Sequence, residues 1–116
     1  MDNAKLFRMP FARVYPCYLA KAERKGRSRE ELHAILHWLT GYSETVLRQQ
    51  IAAEVDLETF FAQAPQPHPN AEKITGLICG HRVEAIADPT LRQIRYLDKL
   101  VDELAKGKAL DKILRK

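Results

Sequence analysis

The chain is 116 residues long, 46% hydrophobic and 29% charged, with a formal net charge of +4. One globular domain fits that length and composition, with roughly 65% of the extended-chain surface buried, and a disordered chain does not. The longest weakly polar stretch, residues 74–80, falls far short of the roughly 20 residues of a membrane helix, and Lys5, Arg8 and Arg13 break any leader-like apolar run.

From the N-terminus, Pro16 suits a first helical turn, so a helix is expected from Cys17 to Lys25, ending at Gly26. Ser28 and Glu31 form a capping box, each side chain meeting a backbone N–H at the start of the next helix. Leu32, Ile35, Leu36 and Leu39 then share one face, and Gly41 ends the helix. Ser43 caps a helix carrying Leu47, Ile51 and Val55, and Asp56 caps a short one carrying Phe60 and Phe61. Three prolines within residues 64–70 exclude helix there, and Asn70 is the expected cap of the next element. Ile74, Leu77 and Ile78 have helical spacing and Gly76 and Gly80 lie four apart; helix is the expectation for 74–79, a short strand the alternative. Asp88-Pro89 is a cap followed by proline at the first helical position. A long helix comes next, near 89–106, with Leu91, Ile94, Leu97, Leu100, Val101 and Leu104 on its apolar side. A short amphipathic turn carries Leu110, Ile113 and Leu114.

Together these signals predict an all-α fold: a small irregular or orthogonal bundle of five or more short helices in one domain spanning 1–116. Charge is uneven along it. Residues 1–29 carry a net +6, residues 30–88 a net −6 and residues 89–116 a net +4, so the ends should attract the middle. A nucleic-acid face would gather Lys21, Arg24, Lys25, Arg27 and Arg29 beside Lys106, Lys108, Lys112, Arg115 and Lys116, but aromatics are not interleaved with them.

No glycine-rich phosphate loop and no nucleophile elbow occurs, which sets those enzyme classes aside. Glu30, His33 and His37 share one helix flank, about 100–160° from the apolar stripe at 100° per residue. That flank is expected to face solvent, and no metal or other cofactor is assigned. Cys17 and Cys79 have neither disulfide-framework nor zinc-finger spacing. Cys79, in an apolar run two residues before His81, reads as a core residue, because side chains at i and i+2 of a helix point apart. Asp98 lies at the edge of the long helix's apolar stripe, where a carboxylate needs a partner. Arg95, three residues earlier, is within reach, with a tyrosine hydroxyl as a further donor. Tyr15, Tyr18, Trp38 and Tyr42 are either core aromatics or the lining of a ligand pocket.

Several segments carry a family resemblance. They are Met9-Pro-Phe-Ala-Arg-Val-Tyr-Pro16, Lys21-Ala-Glu-Arg-Lys-Gly-Arg27, Trp38-Leu-Thr-Gly-Tyr42, Phe60-Phe-Ala-Gln-Ala-Pro65, Ile78-Cys-Gly80 and the whole of 94–108. They resemble the bacterial "domain of unknown function 2200" family over nearly the entire chain. The resemblance implies a small, mainly helical cytoplasmic protein and carries over no catalytic residues. Cys79, Tyr96 and Asp98 fall within the pattern it implies; His33 and His37 do not. The leading functional expectation is a helical interaction module for a protein partner or a second copy, with no membrane involved, and nucleic-acid binding through the basic termini is the weakest of the readings. The alternative is a small enzyme or small-molecule-binding protein with its pocket near Tyr15, Tyr18, Trp38, Tyr42, Cys79, Arg95, Tyr96 and Asp98.

Overall fold

The computed structural model describes residues 3–78 and 80–115. Cys79 and any role for it lie outside the described residues. The helices, in chain order, are α1 (Ala4–Arg8), α2 (Phe11–Arg24), α3 (Arg29–Thr40), α4 (Glu44–Ala52), α5 (Leu57–Ala62), α6 (Pro89–Ala105) and α7 (Leu110–Ile113). A two-stranded antiparallel hairpin, β1 (Leu77–Ile78) and β2 (His81–Arg82), is inserted before α6. The expected all-α bundle is what forms. Helix α6 is its axis, packing against α2, α3, α5 and α7. No helix among the described residues is long and apolar enough to cross a membrane.

The local start signals work as the sequence implies. Ser28 accepts from the Glu31 amide at 3.1 Å while the Glu31 carboxylate accepts from the Ser28 amide at 3.1 Å. Hydrogen bonds from the Arg27 guanidinium, and then from the Ser28 amide, hold the Glu31 carboxyl down at about 2. The Arg27 Nη1 also donates to the Leu104 and Lys108 carbonyls, tying the start of α3 to the chain at the end of α6. Ser43, Asp56 and Asp88 cap α4, α5 and α6. The predicted stripe of α3 (Leu32, Ile35, Leu36 and Leu39) is fully buried.

Three expectations change. Helix α2 starts at Phe11, and Pro16 lies inside it rather than in its first turn. An interior proline costs about 3 kcal/mol. Burial of Phe11 returns roughly 1.5–3 kcal/mol, and the Phe11 amide donates to the Val55 carbonyl at 2.8 Å. The helix start is therefore fixed by contacts more than forty positions away in sequence. Second, His68, not Asn70, caps the 3-10 turn Pro69–Lys73, its Nδ1 accepting from the Asn70 amide at 3.0 Å. Third, residues 77–78 form a strand, not a helix. Gly76 and Gly80 both have positive φ, +108° and +80°, which ends helical propagation on either side.

Expected attraction between the basic ends and the acidic middle appears at Arg27–Glu31. Other basic groups pair within the ends: Lys21 and Lys106 with Asp102, Lys108 and Arg115 with Glu103.

Candidate functional site

Helices α2, α3 and α4 meet where three polar side chains link. Tyr15 comes from α2, His33 from the middle of α3, and Glu44 from the first turn of α4, immediately after its Ser43 cap. The Tyr15 hydroxyl lies 2.5 Å from His33 Nε2, and His33 Nδ1 lies 2.8 Å from Glu44 Oε1. Hydrogen bonds from His33, then from Arg48, hold the Glu44 carboxyl down at about 2, so it is an acceptor only at neutral pH. His33 Nδ1 therefore donates to Glu44, and in the neutral ring Nε2 accepts from the Tyr15 hydroxyl. Burial raises the Tyr15 pKa, opposed by the nearby charge of Arg29, so the phenol keeps its proton. The result is a directional relay, Tyr15 to His33 to Glu44. Both of its protons are used within the relay, and it presents no phenolate nucleophile.

Two adjoining cavities of about 310 Å³ each open on this relay and share Arg29, His33 and Arg48 as walls. Glu30, His37 and Glu44 line one of them; Tyr15, Ile51 and Ala52 line the other. Arg48 Nε donates to Glu44 Oε2 at 2.6 Å. His37 donates through Nδ1 to the Tyr42 carbonyl at 2.7 Å, and its Nε2 lies 3.2 Å from Glu44 Oε1.

The expected solvent-facing flank of Glu30, His33 and His37 is corrected by this geometry. Glu30 is exposed, but His33 is 7% exposed and His37 is half-buried. The wheel angle is as the sequence has it; α2 and α4 cover the flank that the wheel leaves open. The carboxylate meeting the histidines is Glu44 rather than Glu30. Sequence reasoning missed Glu44 and Arg48, whose one available signal is their i, i+4 spacing, and placed Arg29 only in the basic N-terminal run.

The other singled-out residues are distributed rather than gathered. Tyr15 lines one cavity, Trp38 another and Arg95 a third. Trp38 stacks on the His68 ring with centroids 4.4 Å apart. Tyr42 is buried and donates its hydroxyl to the Phe60 carbonyl at 2.6 Å, and Tyr96 is buried in the core. Asp98 is paired on both oxygens: Arg95 Nη1 donates to Oδ2 at 2.8 Å, and the Tyr18 hydroxyl donates to Oδ1. Tyr15 and Tyr18, one turn apart on α2, thus tie that helix to α3 and to α6.

A protein-family model described as "Uncharacterized protein conserved in bacteria (DUF2200)" matches residues 5–115. The crystal structure titled "uncharacterized protein SP1917" is similar, with a TM-score of 0.91 and 46% sequence identity. The match covers 98% of this chain and 93% of that one. None of the curated proteins matches. With nearly every residue matched, the chain belongs to the bacterial DUF2200 family.

Proposed function

We propose that the protein binds a small anionic molecule, of the phosphate or carboxylate class, in the cleft between α2, α3 and α4. The carrying observation is the pair of arginines, Arg29 and Arg48, that line both cavities beside the Tyr15–His33–Glu44 relay, of which His33 is the buried member. Arginine forks suit planar carboxylates and phosphates, and the hydrogen-bonded relay between the helices holds the cleft walls in place. The cavity volumes sit at the small end of the roughly 300–1,000 Å³ of ligand sites. Among the described residues the exposed large apolar side chains are Val46 and Leu77. Leu77, 61% exposed on the hairpin, favours a second reading, an interaction module docking there on a protein partner.

Calorimetric titration of inorganic phosphate and malonate into the wild-type protein at low salt tests the first reading. Saturable binding to one of them is expected. Arg29→Gln and Arg48→Gln should each weaken it about tenfold or more, the value of one charge-assisted hydrogen bond. No saturable binding, or binding indifferent to both substitutions, would contradict it.

A further inference from the structure

We infer that His33, His37 and Glu44 form a binding site for a divalent transition-metal ion of the zinc type. Their donor atoms lie within 4.8 Å of one another, and all three residues line the same cavity. Nδ1 of His33 is 2.8 Å from Glu44 Oε1, and Nε2 of His37 is 3.2 Å from that same oxygen. Ligands of a tetrahedral ion at about 2.0–2.2 Å stand about 3.3 Å apart, so both histidine-to-Glu44 distances are already near metal spacing.

Tautomer accounting points the same way. The Tyr42 carbonyl only accepts, so His37 Nδ1 carries a proton. In the neutral ring Nε2 then turns a lone pair toward the Glu44 carboxylate, an unfavourable pairing that a cation between the two makes favourable. Metal-bound histidines typically donate their other ring N–H to a carbonyl or similar acceptor, which fixes the tautomer. His37 has that support in Tyr42. His33 has it in the Tyr15 hydroxyl, which can accept from Nε2–H once Nδ1 is occupied by a metal. Arg48 holds Glu44 Oε2, leaving Oε1 as the ligating oxygen. The His33/His37 spacing of four puts both rings on one helix face, and nitrogen donors with a single carboxylate suit zinc or iron(II) better than calcium or magnesium. Three protein ligands leave a position for water or for an anion held by Arg29 and Arg48. The charges facing the site are those two arginines and the Glu30 carboxylate.

This inference stands without the anion reading, because the test uses the metal alone. Zinc is titrated into chelator-treated protein in a buffer free of phosphate and carboxylates, with circular dichroism confirming the fold. One zinc ion per chain is expected, with a rise in melting temperature, and cobalt(II) in its place should give visible ligand-field absorption. His37→Gln and Glu44→Gln should each weaken zinc binding at least tenfold, and Tyr15→Phe should weaken it about tenfold through the outer shell. Folded wild-type protein that binds no zinc would overturn the inference, as would zinc binding unchanged in His37→Gln. Zinc binding without anion binding would leave the metal site standing and sink the anion reading alone.

Discussion

Phe60→Ala is expected to destabilise the protein by about 3–5 kcal/mol, the cost of emptying a fully buried phenyl site that cannot collapse. Phe60 is 0% exposed and lies parallel to Phe11, with ring centroids 4.0 Å apart. Its ring also meets Tyr42 and Phe61 at 4.9 and 5.1 Å. Both flanking rings are anchored: Phe11 by its amide to Val55, Tyr42 by its hydroxyl to the Phe60 carbonyl. The walls therefore have little freedom to close on the gap. A domain of this size has roughly 5–15 kcal/mol in all, so the loss is a large share of the total. Denaturant unfolding measures it, and Phe60→Leu should cost much less. A cost of less than about 1 kcal/mol for the alanine variant would show that the cluster is not a rigid support for α2. Because the same helix carries Tyr15, the variant should also disturb the Tyr15–His33 link.

Asp98→Ala is expected to cost about 1–3 kcal/mol, since it removes the acceptor shared by Arg95 and Tyr18. The side chains of Arg95 and Asp98 are 24% and 16% exposed, so solvent screens the pair only in part. A double variant with Arg95→Ala should cost clearly less than the sum of the single changes, because the pair fails as a unit. Tyr18→Phe isolates the contact from α2 to α6. Stabilisation by Asp98→Ala would mark a strained carboxylate of the kind kept for function. Additive, near-zero effects would mean that the carboxylate does not join the two helices.

Legibility in the sequence depends on how far apart the interacting residues lie. Ser28, Ser43, Asp56 and Asp88 can be read as caps because each acts on an amide three residues away. The paired state of Asp98 is legible for the same reason, Arg95 being three positions distant. The start of α2 is not, because the local rule against an interior proline is outweighed by burial of Phe11 and its bond to Val55. The hairpin is misread because the same spacing of Ile74, Leu77 and Ile78 fits a helix, while the positive φ of Gly76 and Gly80 leaves no trace in composition. The candidate site is half legible. His33 and His37 can be placed on one flank, but their burial comes from Tyr15, eighteen positions before His33, and Glu44, eleven after it. Only packing of α2, α3 and α4 brings these together.

If the three-helix cleft is where the protein meets a ligand, amide chemical-shift mapping during titration with inorganic phosphate will locate the binding there. That measurement is the most direct because it reads all cavities at once. The largest saturable shifts are expected at Arg29, His33, Glu44 and Arg48, with the cavity of Trp38 and His68 and that of Arg95 little changed. Saturable shifts centred on either of those other cavities, or shifts that never saturate anywhere, would contradict the account.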